Sequence, residues 1–155
     1  PISSVAGARV DLGLVGSPIN NGTPRLLVDL LTGGYLPVVA CVGATRQGQL
    51  LNVNADTLAS HLAVELRASR LVIVCGTPGV LDDDGRTIEQ LTARGAGRLV
   101  RAGIANKGMV AKLEACRTAL RKGVGGVWIA NGREVPLEKL AEASGPLPGC
   151  TQVVP

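Results

Sequence analysis

Short apolar runs alternate with helical patterns along this chain, and that alternation most limits the folds it can adopt. Residues 36–42, 71–74 and 127–130 are continuously apolar and contain β-branched side chains, which is typical of strands buried on both faces of a parallel sheet. A terminal strand is expected at 151–154. This order of elements predicts an α/β fold, a three-layer αβα sandwich with a mostly parallel sheet.

The helices between these strands are indicated by their apolar periodicity and by the residues at their ends. Between residues 87 and 102, Gly95 and Gly97 interrupt the helical pattern, so we expect two short helical pieces there. Residues 43–49 are polar with two glycines and predict an exposed turn or hairpin. The other expected helices lie at residues 24–32, 55–67 and 137–143, with a further one that carries Met109 on its apolar face and ends at Gly123.

Length and composition favour one globular domain with an acidic small ligand. A chain of 155 residues can bury a real core, and with no Phe, one Trp and one Tyr that core must be aliphatic. The few aromatic residues also argue against the stacking surfaces of single-strand binders, and a net charge of +4 is modest for a nucleic-acid partner. No apolar run approaches the roughly 20 residues that span a membrane. We expect a soluble protein with no nucleic-acid or membrane partner.

The cysteine spacing indicates the compartment. Cys41, Cys75, Cys116 and Cys150 form no Cys-x-x-Cys pair, so a zinc or redox motif is not expected. Cys41 and Cys75 end apolar runs and Cys116 lies on the apolar side of a helix, so the expected state is a reduced, buried thiol, which predicts a cytoplasmic location. His61, the single histidine, has no serine or cysteine partner suggested by its spacing, which argues against a nucleophile–histidine mechanism.

Residues 52–112 contain the parts from which open α/β sheets build phosphate sites, namely two helix N-termini and one strand-end loop. Lys107 and Lys112 fall in the first turns of a helix, where a cation opposes the helix dipole unless an anion is present. A solvated surface lysine fits the pattern equally well. Residues 76–79, Gly-Thr-Pro-Gly, follow a buried strand and let a ligand approach the backbone, although they lack the Walker and dinucleotide patterns.

The polar residues of this stretch each have a structural and a functional interpretation. Asp56 lies in the first turn of its expected helix, where a carboxylate interacts favourably with the helix dipole, and it could also hold and orient nearby lysines. Asn52 and Asn54 have the same ambiguity, because asparagine is common in loops and at helix caps and can also bind a ligand. Residues 82–85, Asp-Asp-Asp-Gly, predict a solvated turn rather than a metal site, because three adjacent carboxylates in a tight turn cannot reach one ion.

Five motifs follow one another along the chain: Gly34-Tyr35-Leu36-Pro37-Val38-Val39, Asn52-Val53-Asn54-Ala55-Asp56, Pro78-Gly79-Val80-Leu81-Asp82, Gly108-Met109-Val110-Ala111-Lys112 and Asn131-Gly132-Arg133. Their order and spacing resemble those of the amino-acid kinase superfamily, and the chain looks most like acetylglutamate kinases. The resemblance covers about residues 10–155. The Asn-x-Asn-Ala-Asp and Gly-Met-x-x-Lys motifs together are fairly specific.

This resemblance implies ATP-dependent phosphorylation, with Mg²⁺, of the side-chain carboxylate of N-acetyl-glutamate in arginine biosynthesis. In that family the residue matching Lys112 lies along the transferred phosphoryl group, and the one matching Asp56 organises the catalytic lysines. The positions matching Asn52 and Asn54 bind the amino-acid substrate. The nucleotide is held at positions matching Gly76, Thr77, Pro78, Gly79, Val80, Leu81, Ile104, Ala105, Asn106 and Met109.

The chain departs from the family in two ways. Gly76 stands where many members carry an acidic residue, which leaves adenosine recognition to the backbone and to Thr77. The family's amino-terminal half supplies a second catalytic lysine and a triple-glycine substrate loop, yet residues 1–106 contain no lysine and the chain has no triple glycine.

We therefore expect residues 1–155 to form a single nucleotide-binding domain, the carboxy-terminal portion of a longer kinase. Such a chain would be inactive without an amino-terminal half or a partner chain, and a homo-oligomer is expected because a half-sheet exposes an edge and an apolar face. Two alternatives stay open. One is an inactive nucleotide-binding or regulatory module, and the other is a kinase acting on aspartate, glutamate or carbamate.

Overall fold

The computed structural model describes residues 2–5, 8–20, 22–103, 105 and 107–155. The chain divides into two compact units, residues 1–58 and residues 59–155. Among the described side chains, Val53 is the one buried hydrophobic residue of the smaller unit, whereas the larger unit contains an extensive aliphatic core. Within these described ranges, no helix has the length and apolar character needed to cross a membrane.

The smaller unit contains β1 (Ile2–Val5), β2 (Ala8–Asp11), β3 (Val15–Gly16), α1 (Arg25–Thr32), β4 (Val42–Ala44) and β5 (Leu50–Val53). β1 and β2 pair antiparallel, and in a second sheet β5 lies between its parallel neighbour β3 and its antiparallel neighbour β4. The helix expected at 24–32 is confirmed by α1. The expected hairpin is confirmed as well, because the Thr45 N–H donates to the Gln49 carbonyl oxygen at 2.9 Å between β4 and β5.

The strand expected over residues 36–42 is wrong except at its last residue. Residues 36–40 have no regular secondary structure, and Leu36 and Val38 have exposed fractions of 88% and 93%. Pro37 accounts for part of this, since proline has no N–H for a sheet ladder and is therefore excluded from central strands. Apolar composition alone indicated burial, but a strand buried on both faces also needs two hydrogen-bonded neighbours.

Helix α2 (Ala55–Glu65) contains the boundary between the two units, at residues 58 and 59. The larger unit further contains β6 (Arg70–Cys75), β7 (Gln90–Thr92), α3 (Ala93–Arg101), α4 (Lys107–Arg121), β8 (Gly126–Asn131), α5 (Leu137–Glu142) and β9 (Cys150–Val154). Its sheet has the order β6-β8-β9-β7. β6 is parallel to β8 and β7 is parallel to β9, while β8 and β9 are antiparallel. The strands expected at 71–74, 127–130 and 151–154 and the helices at 55–67 and 137–143 are all confirmed.

The sheet of the larger unit is covered on both faces, which confirms the αβα sandwich. On one face Val127 and Ile129 of β8 pack with Leu113 and Cys116 of α4. This cluster explains the apolar face of α4. The helix ends at Arg121, and the chain turns at Gly123, which has φ +94°.

The opposite face of the sheet carries a second, smaller cluster. Trp128 and Ala130 alternate with the residues of the first cluster and pack against Leu140 of α5. Arg70 at the start of β6 fixes α5 further, because its guanidinium lies 5.6 Å from the centroid of the Trp128 ring and donates to the carbonyl oxygen of Ala141.

The interrupted helix expected over residues 87–102 is wrong. The structure has a short strand, β7, followed by the uninterrupted helix α3, which begins at its N-cap Thr92 and runs through both glycines. A Cβ on Gly95 would lie 3.0 Å from the Leu91 side chain, and one on Gly97 would lie 3.2 Å from the guanidinium carbon of Arg117 on α4. The glycines therefore permit close packing of α3, and this contact outweighs their low helix propensity.

All four cysteines are in the thiol form, as expected. Cys116 is buried as expected, whereas Cys41 and Cys75 are only half-buried, so the expectation of burial is wrong for these two. Cys150 is also buried.

Candidate functional site

Residues 76–81, here called the β6 loop, follow the carboxyl end of β6. The Gly79 N–H donates to the Thr77 carbonyl oxygen at 2.7 Å, and the Thr77 hydroxyl donates to the Gly79 carbonyl oxygen at 3.2 Å. Gly79 has φ +83°, and a Cβ there would lie 2.7 Å from the backbone nitrogen of Thr151. Both the backbone conformation and the close approach to β9 therefore require glycine at this position.

The β6 loop is hydrogen-bonded to two other segments of the larger unit, β9 and residues 87–88. The buried Val80 N–H donates to the Thr151 hydroxyl at 2.8 Å. The Thr87 hydroxyl donates to the Pro78 carbonyl oxygen at 2.8 Å, and the Ile88 N–H donates to the Val80 carbonyl oxygen at the same distance. These bonds hold the loop backbone in one place against the edge of the sheet.

A cavity of about 290 Å³ lies beside the β6 loop. It is bounded by Thr77, Gly79, Val80 and Leu81 of the loop, by Asp82 and Asp83 after it, by Leu99 of α3, and by Ala105 and Met109. Three of these lining residues, Asp82, Asp83 and Leu99, were not among the sequence-predicted nucleotide positions. The aspartates adjoin the predicted loop, whereas nothing in the sequence indicates which side of α3 meets a ligand.

The sequence-predicted nucleotide positions thus fall into three groups. Six of them, Thr77, Gly79, Val80, Leu81, Ala105 and Met109, line the cavity. Gly76 and Pro78 belong to the same loop but do not line the cavity. Ile104 and Asn106 lie outside the described residues, as does the side chain of Lys107.

The amino-terminal end of α4 borders this cavity through Met109. Lys112 is half-buried and lies three residues further along α4. Residues three apart are neighbours on a helix surface, so Lys112 follows Met109 along that side of α4. The first turn of a helix presents unbonded N–H groups and the positive end of the helix dipole, an arrangement that favours an anion.

The polar residues Asn52, Asn54 and Asp56 lie where β5 passes into α2. Asn52 is an exposed residue of β5, and Asp56 is half-buried in the first turn of α2. The Asn54 side-chain oxygen accepts the Thr57 N–H at 3.0 Å and the Thr57 hydroxyl at 3.2 Å, so Asn54 caps α2. All three belong to the smaller unit and Lys112 to the larger one. The pairing of Asp56 with Lys112 therefore stays a prediction.

The acidic turn after the β6 loop is solvated, as expected. One Asp82 carboxylate oxygen accepts the N–H groups of Asp84 at 3.0 Å and of Arg86 at 2.8 Å, and Gly85 has φ +77°. The exposed ion pair between Arg86 and Asp84, 3.5 Å apart, contributes little to stability. Across the part of the chain that the structure describes, no group of three or more His, Cys, Asp or Glu side chains is arranged around a metal ion.

Comparisons with known proteins identify the family. The model of the amino acid kinase family matches residues 4–131. Acetylglutamate kinase from Gluconobacter oxydans (strain 621H) is 44% identical over 133 residues, which cover 86% of this chain and 44% of the relative. Acetylglutamate kinase from Sorangium cellulosum (strain So ce56) is 44% identical over 150 residues, covering 94% and 52%.

A solved structure shares the fold. The crystal structure of N-acetylglutamate synthase from Neisseria gonorrhoeae complexed with coenzyme A and L-arginine matches with a TM-score of 0.78 and 24% identity, over 99% of this chain and 35% of that chain.

The chain therefore belongs to the amino acid kinase family. Within that family, its resemblance to acetylglutamate kinases is confirmed by the two identities of 44%. The chain spans about half the length of these relatives.

Proposed function

We propose that this chain supplies the ATP-binding half of a cytoplasmic acetylglutamate kinase of arginine biosynthesis. The reaction would transfer the terminal phosphoryl group of ATP to the side-chain carboxylate of N-acetyl-glutamate. The observation that carries this proposal is the cavity of about 290 Å³ between the glycine-containing β6 loop and the start of α4, in a chain 44% identical to such kinases. Because the chain spans about half of those relatives, turnover is assigned to the whole kinase.

The residues of the larger unit have complementary roles in this proposal. The nucleoside would lie in the cavity between Gly79 and Met109, against the backbone of the β6 loop. The phosphates would lie at the amino-terminal end of α4, which is electropositive. Lys112 would neutralise charge on the transferred group, because phosphoryl transfer is accelerated mainly by positioning and by charge stabilisation.

The residues of the smaller unit would serve the acceptor. Asn52 and Asn54 would bind N-acetyl-glutamate, Asn54 through its amide nitrogen because its oxygen caps α2. Asp56 would hold the catalytic lysines in place. Mg²⁺ would enter with ATP, since this ion is usually bound by substrate phosphates and water with only one or two protein carboxylates.

The exposed apolar residues of the smaller unit support a further partner. Leu26, Leu36 and Val38 have exposed fractions of 71%, 88% and 93%. Apolar surface of this kind commonly marks an interface. In this proposal the amino-terminal half of the kinase, which carries the second lysine and the glycine loop, covers this surface, and the complete kinase is a homo-oligomer.

Nucleotide titration tests the proposal at its centre. We expect calorimetry to show Mg-ATP binding by the 155-residue chain and at least about tenfold weaker binding by Lys112→Ala, because a cation facing phosphate is lost. Lys122→Ala is the matched control, since Lys122 is an exposed lysine just beyond the other end of α4. A wild-type chain that binds no nucleotide would refute the proposal.

A phosphoryl-transfer assay tests the need for the remaining half. With ATP, N-acetyl-glutamate and hydroxylamine, an acyl phosphate is trapped as a hydroxamate that can be measured directly. We expect no hydroxamate from the chain alone and product once the amino-terminal half of a relative is added. Full turnover by the chain alone would show that the missing half is not required.

An inactive nucleotide-binding module is the second candidate, and the absence of lysine from residues 1–106 favours it. The same two assays separate the candidates. Nucleotide binding that depends on Lys112 but never yields hydroxamate, even with the added half, would support the module. Aspartate, glutamate and carbamate, offered in parallel as acceptors, test for another amino-acid kinase.

A further inference from the structure

We propose that Thr151 is the residue that positions the β6 loop for nucleotide binding, an inference that rests on the proposed function. Thr151 is fully buried in β9, and it follows the loop by some seventy residues in the sequence. Its hydroxyl oxygen accepts the Val80 N–H at 2.8 Å. Thr151 is therefore a positioning residue that acts through the loop.

The loop also rests directly on the backbone of β9. A Cβ on Gly79 would meet the Thr151 hydroxyl oxygen first, and it would lie 2.7 Å from the Thr151 nitrogen and 3.1 Å from the Cys150 carbonyl carbon, so only a residue without a side chain fits against β9 here. β9 is held on both sides, by β8 with Thr151 opposite Ile129 and by β7. A loop seated on such a strand has little freedom to shift.

The hydrogen bond to Thr151 fixes the loop at the place where it forms the cavity wall. Gly79 and Val80 both line the cavity, and the Val80 residue is only 3% exposed. A buried N–H that loses its acceptor either stays unpaired or moves to find water. The loop would leave β9 in the second case, and the cavity wall would change shape. Loss of the Thr151 hydroxyl should therefore weaken nucleotide binding beyond any general loss of stability.

Three variants of the full 155-residue chain separate these effects. Thr151→Val keeps the shape of the side chain but removes the acceptor, and Thr151→Ser keeps the acceptor. Val153→Ala is the matched control, because Val153 is fully buried two residues along the same strand and lies in the core cluster of the same sheet face. Dissociation constants for Mg-ATP are measured by calorimetry, and unfolding midpoints are measured in urea.

We expect the Mg-ATP dissociation constant to rise about tenfold in Thr151→Val and to stay within about twofold of wild type in Thr151→Ser. Val153→Ala should lower the unfolding midpoint and leave the dissociation constant unchanged. In amide hydrogen exchange, the Val80 N–H should be protected in wild type and in Thr151→Ser and should exchange faster in Thr151→Val.

The possible results distinguish this inference from the proposed function. Nucleotide binding by wild type that Thr151→Val leaves unchanged would overturn the inference alone. Markedly weaker Mg-ATP binding by Thr151→Ser would also overturn the inference. The same holds if Val153→Ala weakens Mg-ATP binding as much as Thr151→Val does, because either result would indicate a general packing effect. A wild-type chain that binds no Mg-ATP would overturn the proposed function and this inference with it.

Discussion

Replacement of Gly79 by alanine is the sharpest single test of how the β6 loop is built. Gly79 is buried and has φ +83°, a conformation that costs an alanine about 1–2 kcal/mol. The added Cβ would also lie 2.7 Å from the Thr151 nitrogen, closer than van der Waals contact permits. Overpacking of this kind costs about 1–3 kcal/mol. Together these terms predict a loss of about 2–5 kcal/mol in the free energy of unfolding.

The loop has one way to relieve the contact, which is to move away from β9. That movement would break the bond between the Val80 N–H and the Thr151 hydroxyl, and an unpaired buried N–H costs about 1–3 kcal/mol. The variant is therefore destabilised in both cases, either by the close contact with β9 or by the lost hydrogen bond. Mg-ATP binding should fall in either case, because Gly79 and Val80 line the cavity.

Gly76→Ala is the matched control within the same loop. Gly76 is exposed, and a Cβ there would meet nothing within 4 Å. We expect this variant to stay within about 0.5 kcal/mol of wild type. The assay is urea unfolding followed by the fluorescence of Trp128, the single tryptophan of the chain, together with calorimetric titration of Mg-ATP. A Gly79→Ala variant no less stable than Gly76→Ala would refute the reasoning.

Three further predictions concern the larger unit. Leu113→Ala should cost about 2–5 kcal/mol in urea unfolding, because Leu113 is fully buried between α4 and the sheet. Thr92→Ala should cost about 1 kcal/mol in the same assay, because the Thr92 hydroxyl accepts the Gly95 N–H at 3.0 Å and caps α3. Burial raises the pKa of the Cys150 thiol above its usual value, so the unfolded chain loses this proton first as the pH rises. The contribution of this thiol to the free energy of unfolding should therefore be complete below the thiol pKa of the unfolded chain. At alkaline pH the free energy of unfolding should fall by up to about 1.4 kcal/mol per pH unit for one proton.

Each of these predictions has a result that contradicts it. An unchanged unfolding midpoint in Leu113→Ala would mean that α4 does not pack on the sheet as described. Glycine is a better N-cap residue than alanine, so Thr92→Gly should be at least as stable as Thr92→Ala. A Thr92→Gly variant much less stable than Thr92→Ala would show that loss of the cap does not explain the effect. For the thiol, the comparison is with Cys150→Ala, and equal alkaline slopes in both proteins would exclude Cys150 as the titrating group.

The elements that the sequence predicted well are those whose burial is set by local pattern. The apolar spacing from Met109 to Leu120 is a property of one helix, and α4 follows it. The runs at 71–74 and 127–130 pair with one another in register, Leu71 with Val127 and Ile73 with Ile129. For such segments a short window of sequence contains the information that decides the structure.

The features that sequence reasoning missed depend on partners far along the chain. Gly97 is tolerated inside α3 because it meets Arg117 of α4, twenty residues later. The exposure of residues 36–40 could not be read from their apolar composition, which gives no information about neighbours. At the candidate site, the β6 loop was indicated by its glycines, whereas the role of Thr151 was invisible because the contact joins residues 80 and 151.

Nuclear magnetic resonance titration with Mg-ATP tests the central claim most directly, because it reports binding residue by residue. We expect amide shifts in residues 77–83 and 107–112, around the cavity and the amino-terminal end of α4, and little change in α5 on the opposite face of the sheet. Saturable shifts confined to those two segments would support a nucleotide site between the β6 loop and α4. Saturable shifts centred elsewhere, or none at millimolar Mg-ATP, would contradict it.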